Sequence, residues 1–179
     1  MGRDKAALPF GSEPLLARVL RLVREAADDV VLVAREGQTL PPGFDAVRDP
    51  PEGLGPLAGL MVGLRHVKAD RAFVTACDTP FLRAALIERL LDLGAGYDAA
   101  VPVIDGHFMV TTAVYSRSIA PVAEALVASR ALRTRDLLDV IRARYIQADE
   151  LRDVDPDLES FLTCNTPETY AAALRRAGL

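Results

Sequence analysis

The chain has 179 residues, of which half are apolar and 26% are charged, so it is long enough for one domain with a single sizeable core. Its net charge of −4, without any block of Lys or Arg, argues against a nucleic acid or a membrane surface as a partner. Cys77 and Cys164 are isolated, which argues against a disulfide framework or a zinc site. With no apolar stretch of membrane-spanning length and no signal peptide, a cytoplasmic protein is expected.

Residues 12–47 are predicted to form a helix followed by two short strands. Ser12-Glu13-Pro14 supplies a cap and a first-turn proline, and apolar residues then recur at helical spacing up to Asp28. Val30 to Val33 is a continuous apolar run, which is typical of a strand buried on both faces, and Phe44 to Val47 is predicted as a second strand. An alternation of helices and strands therefore begins here.

The stretch from Asp49 to Gly59 has three glycines and three prolines and is predicted to be a loop. Its last residues turn into a helix that runs to about His66. Glycines such as Gly55 and Gly59 at a helix start let backbone N–H groups approach an anion closely. An ordinary surface turn explains the same composition, so this stretch alone does not establish a nucleotide contact.

The stretch from Ala72 to Leu82 carries the strongest signal in the chain. It begins as a short apolar strand that stops at Asp78, and Thr79-Pro80 follows. Ligands of open α/β sheets bind in the crevice beyond the carboxyl ends of the strands, where a carboxylate can reach a metal ion or a ribose. A second interpretation is that Asp78 only caps the next helix.

The rest of the chain continues the alternation. Asp105-Gly106 between apolar runs predicts a β-hairpin, whose return strand is Phe108 to Val114. The other predicted elements are a helix from Arg83 to Leu93, a strand from Asp98 to Val103, helices from Ser116 to Ala128 and from about Thr134, a strand from Arg144 to Gln147, and a last helix after Thr166-Pro167. The sequence therefore predicts an α/β fold of three layers, αβα, with a mostly parallel sheet and one antiparallel hairpin.

The residues that suggest chemistry are Lys5, Asp49, the turn Gly55 to Gly59, Asp78 and Asn165, and several of them directly follow predicted strands. One basic group, two carboxylates and a Gly-rich backbone suit a nucleoside triphosphate with Mg²⁺. No Ser, Cys or Lys stands beside a credible base, so in-line transfer by positioning and electrostatics is favoured over covalent catalysis. Arg130, Arg133 and Arg135 could hold phosphates, although a solvated face explains them more simply.

Four motifs, in order, resemble those of the molybdenum cofactor guanylyltransferases, the MobA-type nucleotidyltransferases, over nearly the whole chain. They are Met1-Gly2-Arg3-Asp4-Lys5-Ala6, Gly55-Pro56-Leu57-Ala58-Gly59, Cys77-Asp78-Thr79-Pro80 and Asn165-Thr166-Pro167-Glu168. The resemblance implies a Rossmann-like nucleotidyltransferase fold over residues 1–179. It also implies transfer of GMP from GTP to molybdopterin, with Mg²⁺ and release of pyrophosphate.

Carried over by position, the resemblance implies roles for the candidate residues. Lys5 would contact the triphosphate and take part in catalysis, and Asp78 would ligate Mg²⁺. Asp49 would assist at the nucleotide, with the backbone of Gly55 and Gly59 near the base. Asn165 would face the cofactor substrate.

The sequence departs from the family pattern in three places. The family carries a first strand and a loop Leu-Ala-Gly-Gly-x-Ser-x-Arg before the segment that matches Met1-Gly2, so the chain is expected to be N-terminally truncated relative to the family. Thr163 stands where the family often has Asn, and Phe108-Met109-Val110 replaces a Pro-containing segment. Loss of a central strand predicts a chain that is marginal in stability or recruits a partner at the exposed sheet edge.

Two alternatives stay open at this point. One is a related enzyme that transfers CMP to molybdopterin, or a nucleotide to another phosphorylated acceptor, since base specificity depends on loop geometry. The other is a non-catalytic remnant that keeps the fold and acts as a partner of cofactor-biosynthesis proteins or molybdoenzymes in cofactor insertion.

Overall fold

A computed structural model describes residues 5–38, 40, 46–48 and 54–179. Its α-helices are α1 (Leu15–Arg24), α2 (Gly55–His66), α3 (Ala84–Leu93), α4 (Ala120–Ala128), α5 (Thr134–Leu138) and α6 (Pro167–Arg176). Its strands are β1 (Pro9–Phe10), β2 (Glu13–Pro14), β3 (Val33–Ala34), β4 (Val47–Arg48), β5 (Arg71–Thr75), β6 (Ala99–Ile104), β7 (His107–Phe108), β8 (Thr112–Ser116) and β9 (Ala143–Gln147).

The described strands form one main sheet and two short pairs. In the main sheet β8 lies between β5 and β6 and is antiparallel to both, β7 is antiparallel to β6, and β9 is parallel to β6. Elsewhere β1 and β2 pair antiparallel, and β3 and β4 pair parallel. Most described pairings are thus antiparallel rather than parallel, because β8 inserts between two strands that precede it in sequence.

Both faces of the main sheet are covered by helices, as the three-layer prediction requires. On one face, Val101 and Tyr115 pack in a cluster with residues of α2, α4 and α5. On the other face, Ala100 and Val114 pack with residues of α3. Successive residues of a strand point to opposite faces, so this alternation along β6 and β8 explains why both strands are apolar throughout.

The hairpin at Asp105-Gly106 is confirmed, because both residues have positive φ, 50° and 77°, as a tight primed turn needs. The return predicted from Phe108 to Val114 is antiparallel to β6 as expected, but it is interrupted at residues 109–111, and its second part, β8, extends to Ser116. β7 ends at Phe108, although Met109 N–H still donates to the Pro102 carbonyl at 2.9 Å, and a turn closed by the bond from Thr112 N–H to the Met109 carbonyl at 3.0 Å precedes β8. β7 and β8 therefore pair with the same edge of β6, and β9 pairs with the other edge.

Several predicted boundaries shift at the start of the chain. Glu13–Pro14 forms β2 rather than the first helical turn, since it pairs with β1, and α1 ends at Arg24 rather than Asp28. The strand predicted from Val30 to Val33 is reduced to β3, and residues 30–33 are half-buried rather than buried on both faces. The predicted strand Phe44 to Val47 lies mostly outside the described residues; its end is β4.

β5 confirms the strand predicted before Asp78, but all five of its residues are half-buried rather than buried. The cause is its position, because β8 is the only described strand that pairs with it. Among the described residues, no helix is long and apolar enough to cross a membrane.

Candidate active site

Three segments that are far apart in sequence meet at the end of β5. The Lys5 Nζ atom lies 3.3 Å from Asp78 Oδ2 and donates a hydrogen bond to Asn165 Oδ1. The Asp78 side chain is 8% exposed and that of Lys5 is 36% exposed, so the ammonium is the accessible partner. We refer to these three residues as the Lys5 cluster.

Lys5 is held in place through the residue that follows it. Lys5–Ala7 forms a single 3₁₀ turn, and Ala6 is 3% exposed in a cluster with Leu16 and Leu20 of α1. The Lys5 carbonyl accepts a hydrogen bond from Leu8 N–H at 3.1 Å, which closes the turn. The burial of Ala6 thus directs the side chain of Lys5 toward Asp78.

Asp78 lies in a turn between β5 and α3. Thr79, 1% exposed, donates from its hydroxyl to the Ala76 carbonyl at 3.1 Å and fixes the turn. Because α3 begins only at Ala84, with Arg83 as its capping position, Asp78 is not the cap of that helix. The capping interpretation is therefore wrong, and the carboxylate is left to contact Lys5.

The side chain of Asn165 is oriented by Thr163. Its Nδ2 donates to Thr163 Oγ1 at 2.8 Å, and that contact turns its Oδ1 toward Lys5. Thr163, a departure from the family pattern, thus supplies the acceptor that orients the amide. Thr166 caps α6 by accepting from Thr169 N–H at 3.2 Å, as predicted.

Cys164 links the segment that carries Asn165 to the segment that carries Asp78. Its backbone N–H donates to the Asp78 carbonyl at 2.9 Å, a contact across 86 positions that no sequence pattern signals. The side chain is fully buried, and burial, followed by the nearby Asp78 charge, raises the pKa of the Cys164 thiol to about 11, against a smaller opposing effect of Lys5. A neutral buried thiol is not a nucleophile, which agrees with a non-covalent reaction.

The glycines of the second motif lie apart from the Lys5 cluster. Gly55 opens α2 with φ of +65°, and Gly59, one turn later, faces an apolar cavity between β3 and β5. In the described part of the chain, no hydrogen bond or ion pair joins α2 to Lys5, Asp78 or Asn165. The predicted nucleotide contacts of these glycines are not tested by this arrangement, and Asp49 lies outside the described residues.

The donor set at the Lys5 cluster is compatible with Mg²⁺ but is incomplete by itself. Asp78 offers a carboxylate, whereas no group of three or more His, Cys, Asp or Glu side chains forms a metal site in the described ranges. Mg²⁺ is commonly bound by one or two carboxylates together with substrate phosphates and waters. One nearly buried carboxylate beside an accessible cation fits that mode.

Comparisons with known proteins place the chain in a family. A model of the MobA-like NTP transferase domain matches residues 1–148. The chain is 34% identical over 175 residues to the molybdenum cofactor guanylyltransferase of Pseudomonas entomophila, covering 93% of this chain and 87% of that protein. It is 35% identical over 182 residues to a probable molybdenum cofactor guanylyltransferase of Mycobacterium ulcerans, covering 98% and 87%.

Solved structures show the same fold. Molybdopterin-guanine dinucleotide biosynthesis protein A from Archaeoglobus fulgidus has a TM-score of 0.85 at 24% identity, covering 99% of this chain and 92% of that one. 2-C-methyl-D-erythritol 4-phosphate cytidylyltransferase from Thermus thermophilus has a TM-score of 0.74 at 19% identity, covering 98% and 94%. The predicted Rossmann-like nucleotidyltransferase fold is confirmed, and the chain belongs to the family of MobA-like NTP transferases.

Proposed function

We propose that this protein is a molybdenum cofactor guanylyltransferase that transfers GMP from GTP to molybdopterin. A phosphate oxygen of molybdopterin would form a bond to the α-phosphorus of GTP. The bond from that phosphorus to the oxygen bridging to the β-phosphorus would break, releasing pyrophosphate. Residues 1–179 would act as one nucleotidyltransferase domain in the cytoplasm.

The observation that carries the proposal is the Lys5 cluster. It brings together one residue from each of three motifs that resemble the family, at sequence separations of 73 and 160. Relatives at 34% and 35% identity over nearly the whole chain are named molybdenum cofactor guanylyltransferases. A contact of this kind across the whole sequence is the arrangement expected if the three motifs serve one substrate.

The side chains of the Lys5 cluster would contribute to the reaction through electrostatic interactions. The ammonium of Lys5 is 36% exposed, so it can turn from Asp78 toward the triphosphate oxygens. Fixed charges aimed at oxygens whose charge changes in the transition state are a major source of rate acceleration. Asn165 offers an amide to the acceptor side, with its orientation set by Thr163.

Asp78 would hold Mg²⁺, with triphosphate oxygens completing the coordination. The ion, when bound, would neutralise phosphate charge and orient the triphosphate for in-line attack. Lys5 would then move its ammonium from the Asp78 carboxylate to the phosphates. The carboxylate is nearly buried, so its place in the site is fixed before the substrate arrives.

The test is the Mg²⁺-dependent formation of a guanine dinucleotide from GTP and molybdopterin, in wild type and in Asp78→Asn. We expect Asp78→Asn to lower kcat by about 100-fold or more, the usual cost of losing one charge-stabilising group. Asp105→Asn is the matched control, since Asp105 is an exposed carboxylate at a hairpin tip with φ of 50°, a conformation that Asn tolerates. It should retain activity.

Calorimetric titration with GTP and with CTP, each with and without Mg²⁺, separates the alternatives. Saturable, metal-dependent binding of GTP that Asp78→Asn weakens supports the proposal. Preferential CTP binding would point to a cytidylyltransferase instead. Binding of neither nucleotide would contradict an active transferase and favour a non-catalytic partner in cofactor insertion.

A further inference from the structure

The carboxylate of the Lys5 cluster is paired with a cation of the chain itself. The Asp78 side chain is 8% exposed, and a carboxylate so far from water needs a positive partner. The Lys5 Nζ atom supplies that charge at 3.3 Å from Asp78 Oδ2. In the described part of the chain, Lys5 is the only residue that forms an ion pair with Asp78. The carboxylate that would hold Mg²⁺ is therefore occupied by an ammonium.

The Lys5 ammonium contacts both of the side-chain oxygens that the cluster offers. It donates to Asn165 Oδ1 as well as to Asp78 Oδ2. A carboxylate oxygen and a side-chain amide oxygen are also ligand types of hard divalent cations. Two cations that lie a few ångströms apart at the same acceptors repel each other. Lys5 and a divalent cation are thus competitors for one place in the site.

The two acceptors are held in place, whereas the lysine side chain is free to turn. Cys164 N–H donates to the Asp78 carbonyl at 2.9 Å, which fixes the segment before Asn165 against the segment of Asp78. The Asn165 Nδ2 atom donates to Thr163 Oγ1 at 2.8 Å, so its Oδ1 stays turned toward Lys5. The Lys5 side chain, in contrast, is 36% exposed on a flexible four-carbon stem. An exchange of cations at these oxygens therefore requires movement of Lys5 alone.

We propose that Lys5 is an internal counter-ion that keeps a free divalent cation off Asp78 until a triphosphate binds. This role rests on the proposed function, in which Asp78 holds Mg²⁺. The triphosphate offers the ammonium other anionic oxygens, so Lys5 leaves Asp78 when the nucleotide arrives with its metal. Binding free energies are reciprocal, so the nucleotide raises the affinity for the metal by the same factor as the metal raises the affinity for the nucleotide. The protein thus binds the metal–nucleotide complex in preference to the bare ion.

The first test measures the binding of Mn²⁺ alone to the full chain, by the loss of the electron paramagnetic resonance signal of the free ion. Lys5→Met keeps the length of the side chain and removes its charge. We expect this variant to bind Mn²⁺ about 10-fold or more tightly than wild type, because the competing positive charge is gone. Lys68→Met, at the exposed second lysine, is the matched control and should bind as wild type does. The double variant Asp78→Asn/Lys5→Met should lose the gained affinity, which assigns that affinity to Asp78.

The second test uses wild-type protein, so it decides the matter even if Lys5→Met fails to fold. Lys5 and Lys68 are the two lysines of the chain, and mass spectrometry after brief acetylation with an amine-reactive ester compares them directly. Excess Mg²⁺ alone should leave the acetylation of Lys5, relative to that of Lys68, unchanged. Asp78→Asn calibrates the method, because the loss of a charge-assisted hydrogen bond should raise that ratio about threefold or more.

Three results would overturn the proposal: equal Mn²⁺ affinity of wild type and Lys5→Met, a gained affinity that survives Asp78→Asn, or a rise in Lys5 acetylation caused by Mg²⁺ alone. Titration of wild type with GTP and Mg²⁺ decides the proposed function separately. If GTP binds but Lys5→Met gains no affinity for Mn²⁺, the exclusion of the free ion is wrong and the transferase still stands. If Lys5→Met gains that affinity but no nucleotide binds, Lys5 does exclude the ion and the proposed function is wrong.

Discussion

Lys5 is the residue on which the candidate site depends, because its side chain contacts both Asp78 and Asn165. An ammonium is a compact charge with three rotatable donors, so it can hold a carboxylate and an amide and still turn toward a phosphate. The same contact makes Lys5 a positioning group for the two other motifs. Its role can be tested without disturbing the core, since the side chain is partly exposed.

Lys5→Ala is expected to reduce kcat for nucleotide transfer by about 100-fold, since it removes a cation that would contact the triphosphate. Lys68→Ala is the matched control, because Lys68 is the other lysine of the chain and is exposed. Steady-state kinetics with GTP and molybdopterin measures both. Equal activity of the two variants would show that Lys5 has no part in the reaction.

At the scale of elements, the end of α3 shows two glycines that are needed for different reasons. A Cβ at Gly94 would lie 2.7 Å from Ala100 Cβ in β6 and 3.0 Å from the Leu90 carbonyl, so this glycine permits close helix–strand packing. Gly96 has open space around it but a φ of +80°. A side chain at Gly94 is excluded by contact with β6, whereas a side chain at Gly96 is disfavoured by the backbone conformation.

Gly94→Ala is expected to lower the free energy of unfolding by about 2 to 3 kcal/mol, the cost of overpacking a close contact. Gly96→Ala should lower it by about 1 kcal/mol, from the left-handed conformation alone. Urea unfolding measures the two free energies. If Gly94→Ala cost no more than Gly96→Ala, the close approach of α3 to β6 would be wrong.

One carboxylate of the loop after β9 holds several groups of the fold together. Asp155 is fully buried, accepts from Ser160 N–H at 2.9 Å and from Glu159 N–H at 3.1 Å, and lies 3.2 Å from Arg83 Nε. It therefore ties the segment before α6 to the start of α3. A buried carboxylate is tolerated here because its oxygens are satisfied.

Asp155→Ala is expected to cost about 3 kcal/mol of unfolding free energy, because it leaves one buried and one partly buried N–H group, and part of Arg83, without an acceptor. Asp157→Ala, at an exposed carboxylate two residues away, should change that free energy by less than about 0.5 kcal/mol. Urea unfolding at neutral pH compares them. A small effect at Asp155 would contradict the described network.

At the scale of the whole molecule, ion pairs connect α6 with the body of the fold. Glu159 receives Arg176 from α6 and Arg83, the residue before α3, at 3.1 Å. The hydrogen bond from Arg176, and then the one from Arg83, hold the pKa of Glu159 below its usual range. A lowered pKa in the folded state means that this carboxylate stabilises the fold above its unfolded pKa.

That stabilisation should disappear as the pH falls through the lowered pKa, from about 4.5 downward. Glu159→Gln should therefore be less stable than wild type at pH 7, with a difference that shrinks toward zero below the folded pKa. Urea unfolding at pH 7, 5 and 3 measures the difference. Glu36→Gln, at an exposed glutamate without an ion pair to a described residue, should show no such convergence.

The sequence by itself determined the alternation of helices and strands, the Asp105-Gly106 turn and the cap at Thr166. These features depend on local chemistry, such as hydrophobic period, positive φ and side-chain capping, which neighbours in sequence decide. It also identified Lys5, Asp78 and Asn165 as candidates, from motifs that resemble a family. Their roles in binding and catalysis stay predictions.

Only the tertiary structure decided which strands are neighbours and which candidates meet. β8 inserts between β5 and β6, and the bond from Cys164 to Asp78 joins segments 86 positions apart. The half-buried state of β5 beside a cavity likewise depends on what lies across from it. An apolar run in the sequence predicts a strand equally well whether or not the edge of that strand is paired. Long-range pairing is set by packing of the whole chain, which hydrophobic period and turn chemistry do not encode.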